Sequence, residues 1–203
     1  MANGTIIILN GTSSSGKTSI VHALQDALAE PYLEAGIDKF LWMLPPRYLE
    51  RPLWDEVLGL AVRAGPAGHT LMGGMHQAIA ALSRTGNNVV ADHVLVEPSW
   101  LQECASLFAD LPAFLIGVRC PLEVLERREK ERRSRTWGQA EAQFALVHAH
   151  GLYDLEVDTS IYSVEECAVQ IKRRLREGEP GAFKRLKEQG AGLLNRPNLS
   201  LAL

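Results

Sequence analysis

Apolar residues along this chain fall into two alternating rhythms. Short unbroken runs rich in Ile, Val and Leu, bounded by turn-forming residues, predict strands at 5–10, 32–36, 89–92, 113–119 and 155–159. Between them, apolar residues recur at helical spacing. Ile20, Val21, Leu24 and Leu28 form one stripe, and Leu101, Cys104, Phe108 and Leu111 a second. Trp137, Ala140, Phe144 and Val147 form a third, and Val164, Cys167, Ala168, Ile171 and Leu175 a fourth. The fourth opens on Ser163 and Glu166 in capping-box spacing and stops at Gly178. Strands alternating with helices predict an α/β fold, a five-stranded parallel sheet flanked by crossover helices.

The alternation breaks once. Between the second and third predicted strands, "WMLPPRYLERPLW" and "RAGPAGHTLMGG" precede a helical stripe at Met72, Met75, Ile79 and Leu82. An insertion of this size in a compact domain is expected to be functional or mobile. It is read as a substrate-binding insertion, about residues 40–85, within one domain spanning 1–178. Residues 179–203 lose the pattern apart from a short helix at 182–189, and are expected to form a peripheral tail.

Composition narrows the classes. The 203 residues are 46% hydrophobic and 22% charged, which fits a globular chain and excludes disordered or coiled-coil readings. A net charge of −3 gives no overall attraction to nucleic acid or an anionic membrane, so any polyanion site must be local. Cys104, Cys120 and Cys167 are odd in number and widely spaced, which predicts reduced core thiols rather than a disulfide framework or zinc site. No run approaches the ~20 apolar residues of a membrane span, and the amino terminus shows no basic-then-apolar leader. A soluble, cytoplasmic chain is expected, with no nucleic-acid or membrane partner; homo-oligomerisation stays open.

One polar stretch changes the picture. Gly11 to Thr18 read "GTSSSGKT", which fits G-x-x-x-x-G-K-[ST] between a buried strand and an amphipathic helix. In such a phosphate cradle, the backbone N–H groups of Gly11, Thr12, Ser13, Ser14, Ser15 and Gly16 turn inward around phosphate oxygens. The following helix adds its positive N-terminal end. Lys17 then faces the β and γ phosphates, and the Thr18 hydroxyl is placed for Mg²⁺. ATP and Mg²⁺ are the expected cofactors. A dinucleotide fingerprint fails at Ser13, where glycine would be needed, and no Asn-Lys-x-Asp guanine-reading motif is present.

Three further features suggest a small kinase. Asp38 follows the second predicted strand, at the carboxyl edge where α/β sheets meet their ligands. Asp92 ends the third, the position from which a carboxylate reaches Mg²⁺. Arg127 to Arg135, "RREKERRSR", places six basic residues among nine. Arginines on a lid at about 127–137 can neutralise the charge that phosphoryl transfer spreads over three oxygens. Trp42, Met43, Leu44, Tyr48, Trp54, Met72 and Met75 suit a partly aromatic, uncharged acceptor, or else form core.

With "IILNGTSSSGKT", "GIDKF", "VVADHVL", "LIGVRCPLEVLERRE" and "VHAHGLYDLEVDTS" in this order, the chain over about residues 5–175 resembles chloramphenicol phosphotransferase, a family of the P-loop kinase superfamily. The resemblance implies a P-loop NTPase three-layer sandwich and transfer of the ATP γ-phosphoryl group to a primary hydroxyl of chloramphenicol. It implies that Asp38 is the base. It draws the lid arginines from Arg127, Arg128, Arg132, Arg133 and Arg135, with Lys17, Arg132 and Arg135 catalytic and Arg128 on the nucleotide. "VDTS", containing Asp158 and Thr159, matches a loop that borders adenine. Where a second aspartate is expected after Asp92, this chain has His93, which bears on metal or substrate contacts. Two alternatives remain: a kinase for another small hydroxylated antibiotic or metabolite, and a non-catalytic ATP-binding regulator.

Overall fold

In the computed structural model, which describes residues 2–50, 63–132 and 138–194, strand β1 (Ile6–Asn10) is buried along its whole length. That is what a strand covered on both faces requires. It lies at the centre of a five-stranded sheet with β2 (Tyr32–Glu34), β3 (Asn88–His93), β4 (Ala113–Arg119) and β5 (Leu155–Asp158), in the order β2-β3-β1-β4-β5. Every pairing is parallel. The fold is the expected α/β three-layer sandwich of P-loop NTPases.

Alternation along the strands divides the interior into two layers. Ile7, Leu9, Val90, Ile116 and Val118 face α1 (Lys17–Ala27) and α7 (Val164–Arg176), meeting Ile20, Val21, Leu24, Cys167 and Ile171. Ile6, Ile8, Val89, Ala91 and Leu115 face the other side, against α3 (Pro66–Arg84) and α4 (Pro98–Phe108). Ser163 and Glu166 form the capping box their spacing predicts, each side chain bonded to the other's backbone N–H. Cys104, Cys120 and Cys167 are buried free thiols.

Three expectations change. Helix α3 begins at Pro66, so "PAGHTLMGG" belongs to a regular element rather than to an irregular insertion. Met72, Met75 and Ile79 are fully buried against the sheet, and this packing outweighs the cost of Gly68, Gly73 and Gly74. Met72 and Met75 are therefore core and not an acceptor wall. The tail is not wholly peripheral: helix α8 (Ala182–Leu194) inserts Ala182, Phe183 and Leu186 into the α3/α4 layer, with Phe183 edge-on to Phe108. Asp154, just before β5, accepts the N–H groups of Gly181, Ala182 and Leu115, fixing the start of that helix to the sheet. The third stripe yields only a short helix, α6 (Gln139–Phe144), with Ala140 and Val147 buried and Phe144 facing outward. Trp54 and Trp137 lie outside the described residues.

Candidate active site

The functional groups collect at the carboxyl edge of three adjacent strands. In the β1/β3 register Leu9 lies opposite Asp92 and Asn10 opposite His93, so the loop leaving β1 begins beside the end of β3. Strand β2 pairs with the outer side of β3 and delivers Gly36 and the short helix α2 (Ile37–Leu41) to the same edge. The result is a cleft lined by Ser13, Lys17, Thr18, Asp38, Asp92 and Arg132, with Gln139 and Gln143 closing it from α6. This is the crevice outside the strand ends where open α/β sheets bind ligands.

The loop itself has the strained form of an anion cradle. Ser14 has φ 64° and Gly16 φ 90°, both left-handed, and no side chain of Gly11 is sterically possible because a Cβ would lie 2.6 Å from the Val118 carbonyl oxygen. Lys17 Nζ donates to the carbonyls of Gly11 (2.8 Å) and Thr12 (2.7 Å), folded back over the loop. The hydroxyls of Ser13, Ser14 and Ser15 are buried with no hydrogen-bond partner among the described residues. Buried polar atoms without protein partners are costly, and a loop carrying three of them fits a phosphate ligand; of the N–H groups expected to turn inward, that of Gly11 donates to the His93 carbonyl and that of Ser15 to the Thr12 carbonyl.

The hydroxyl of Thr18 donates to Asp92 Oδ2 at 2.9 Å. Two hard oxygen donors at the mouth of a phosphate cradle match the preference of Mg²⁺, which takes one or two protein oxygens alongside substrate phosphates. Asp92 is kept there by a missing side chain: a Cβ on Gly36 would lie 1.8 Å from Asp92 Oδ1. Asp38 stands on the first turn of α2, beside the apolar cleft residues Ile37, Leu41 and Val94.

Not every anticipated group faces the cleft. Arg128 is turned onto the β5 end: its guanidinium donates to Thr159 Oγ1 (3.0 Å) and to the Thr159 carbonyl (2.8 Å), and Thr159 Oγ1 donates to the Ser15 carbonyl. Arg128 and Thr159 are thereby tied to the cradle through the Ser15 carbonyl. Asp158 accepts from the N–H and hydroxyl of Ser160, shaping its own turn, and lies near Thr12, Arg119 and His148 around a second, shallower pocket. Arg132 lines the cleft; Arg133 and Arg135 lie outside the described residues.

His93 points away from Asp92. It is fully buried in the opposite layer, where Nδ1 accepts the Val94 N–H, Nε2 meets His76 Nε2 at 2.9 Å, and His76 Nδ1 meets Glu103 at 2.8 Å. Burial holds both imidazoles below their ordinary range, with His76 and Lys17 adding to the effect at His93 and Glu103 opposing it at His76. Of the two readings open for His93, substrate contact or a packed, hydrogen-bonded residue, its burial and bonds match the second. Beneath the loop, Asn10 donates to the Val147 carbonyl and to Tyr153 Oη, and accepts the Leu95 N–H.

Gln139 and Gln143 are candidate functional-site residues that the apolar stripe around them masks in the sequence. They are four residues apart, hence on one helical face, and both are buried in the cleft wall. A pair of glutamines at that spacing beside apolar neighbours was the available signal.

Similarity to known proteins bears on the family and the fold. The model of the chloramphenicol phosphotransferase-like protein family matches residues 4–176. A protein of Mycobacterium tuberculosis (strain H37Rv), provisionally designated an O-phosphotransferase, is 36% identical, with 93% of this chain and 90% of that one covered. Among solved structures, a Deinococcus radiodurans tunicamycin resistance protein matches with TM-score 0.62 at 18% identity, covering 87% of this chain and 98% of that one. An APS kinase of M. tuberculosis, solved with AMPPNP and APS, matches at 0.56 and 14%, covering 87% and 100%. Identities this low speak to the fold alone.

Proposed function

The chain belongs to the chloramphenicol phosphotransferase-like family, and from that membership and the geometry of the cleft we propose an ATP-dependent O-phosphotransferase acting on a small hydroxylated molecule, with chloramphenicol as the leading acceptor. One observation carries the reading: Lys17, Thr18, Asp92, Asp38 and Arg132 line a single cleft. That cleft joins a phosphate cradle and a pair of metal-type oxygens to a carboxylate set among apolar residues.

In this reading Asp38 orients the acceptor hydroxyl and takes its proton. A bond forms from that oxygen to the terminal phosphorus as the bond to the bridging oxygen breaks, and ADP leaves. Lys17 and Arg132 offset negative charge on the phosphoryl oxygens. Thr18 and Asp92 would hold Mg²⁺, which would supply neutralisation of the phosphate charge. Around Asp38, Ile37, Leu41 and Val94 offer apolar surface. This favours an uncharged acceptor over small anions, whose pockets need added positive charge.

The test is acceptor-dependent release of ADP across a panel containing chloramphenicol, other hydroxylated antibiotics, and small sugars. Release with chloramphenicol, with phosphate on its less hindered primary hydroxyl, supports the full proposal. Release with another member only moves the acceptor. Nucleotide binding without any acceptor-stimulated turnover would leave an ATP-binding regulator as the better reading.

A further inference from the structure

One backbone donor of the phosphate cradle is engaged by a residue far along the chain. The Ser13 N–H donates to Gln143 Oε1 at 2.7 Å, a fully buried contact across 130 residues of sequence. Inward N–H groups of such loops are anion donors, so the carboxamide oxygen of Gln143 stands where a phosphate oxygen would be received. Gln143 is 1% exposed and lies on the wall shared with Asp38, Asp92 and Arg132. That is the acceptor side of the cradle, where the phosphate to be transferred must sit.

The glutamine is also tied to the arginine segment. Its helix, α6, begins at Gly138, and the N–H groups of Gly138 (2.9 Å) and Ala140 (3.2 Å) donate to the buried Glu129 carboxylate. Glu129 belongs to α5 (Leu122–Glu131), which ends immediately before Arg132. The Ser13 contact is therefore connected through α6 and Glu129 to the start of the expected lid.

Resting on the proposed ATP-binding role of this cleft, we propose that Gln143 is a specificity-determining residue that senses the terminal phosphate. It holds the Ser13 N–H in the free protein and yields it to an oxygen of the γ-phosphate. A hydrogen bond to a charged oxygen is about twice as strong as one to a neutral amide, so a triphosphate wins the exchange. A diphosphate seated deeper in the cradle leaves the Gln143 contact in place. The cost of displacing Gln143 therefore falls on ATP and not on ADP.

Calorimetric titration of the full chain with ADP and with a non-hydrolysable ATP analogue, both with Mg²⁺ and without acceptor, tests this. Gln143→Met keeps length and bulk but removes the competing oxygen. Because a net hydrogen bond is worth about 0.5–1.5 kcal/mol, it should tighten the triphosphate analogue by roughly 2- to 10-fold and leave ADP unchanged. Gln143→Glu makes the acceptor of the Ser13 N–H a charged carboxylate and should weaken the analogue relative to ADP. Equal shifts for both nucleotides, or none in either variant, would assign Gln143 a packing role and overturn the inference while the kinase reading stands. If the unaltered protein binds neither nucleotide, the kinase reading itself fails. A folded state confirmed by circular dichroism for each variant keeps loss of structure from being mistaken for either result.

Discussion

A single methyl group at position 36 is enough to disturb the metal side of the cleft. Gly36 has φ −70°, a backbone that alanine adopts freely, so Gly36→Ala introduces no backbone strain. The new Cβ would meet Asp92 Oδ1 at 1.8 Å, and the carboxylate must swing off Thr18. The expected outcome is a folded protein whose Mg²⁺ dependence is shifted roughly 10- to 100-fold, the usual effect of disturbing a group that orients a metal ligand. Titrating Mg²⁺ against turnover checks it, and an unshifted curve would remove Asp92 from the metal site. Asp38→Asn keeps shape and removes basicity, so transfer should slow by roughly 10²- to 10⁴-fold with little change in ATP affinity. Turnover near the unaltered rate would place the base elsewhere. At this scale the cradle residues were readable because their chemistry is local: eight consecutive positions carry it. Gln143 and the true partners of Arg128 and His93 were not, since each depends on a contact made only after distant strands pair.

At the scale of elements, the strands were read well because a parallel strand buried on both faces must be a continuous apolar run, and β1 and β4 are such runs. The helices were read well where a stripe meets one sheet face, as in α1 and α7. The third stripe misled because α6 is short and its one buried apolar residue among those described, Ala140, packs on Cys120 and Leu125 while polar contacts fix its start. Its anchor, Glu129, accepts two backbone N–H groups at the helix start. Glu129→Ala would leave the buried Ala140 N–H without that partner, while the exposed Gly138 N–H turns to water, at a cost of about 1–3 kcal/mol in stability, and would loosen the wall carrying Gln139 and Gln143. The expected kinetic result is a lower kcat. Ser163→Ala is the control: it removes a cap remote from the cleft and should cost about 1 kcal/mol without touching kcat. If the two variants lose stability alike and both keep full kcat, α6 is only scaffolding.

At the scale of the whole molecule, the polar groups beneath the cradle give stability a direction with pH. His148 and His150 flank Tyr153 under β1, and burial, aided by the Arg119 guanidinium, lowers them to about 3 and about 4. His76, in the opposite layer, is lowered by burial against the opposing pull of Glu103. In the unfolded chain each imidazole returns to an ordinary value near 6.5. Below that value the unfolded state takes up protons that the folded state refuses. The contribution of these neutral histidines is thus fully present above about pH 6.5 and is lost progressively as the pH falls toward their folded values. Between pH 6.5 and 5 the carboxylates have scarcely begun to titrate, so this window isolates the histidines. Each proton taken up on unfolding contributes a slope of about 1.4 kcal/mol per pH unit. With four histidines held neutral, the fully buried His93 among them, the slope should exceed that of one proton as the pH approaches 5. Urea titrations at half-unit steps from pH 8 to 5 measure it. The unfolding free energy should stay level above pH 7.5 and fall with increasing steepness below 6.5. A level profile down to pH 5 would mean that water reaches these imidazoles and that burial does not hold them neutral.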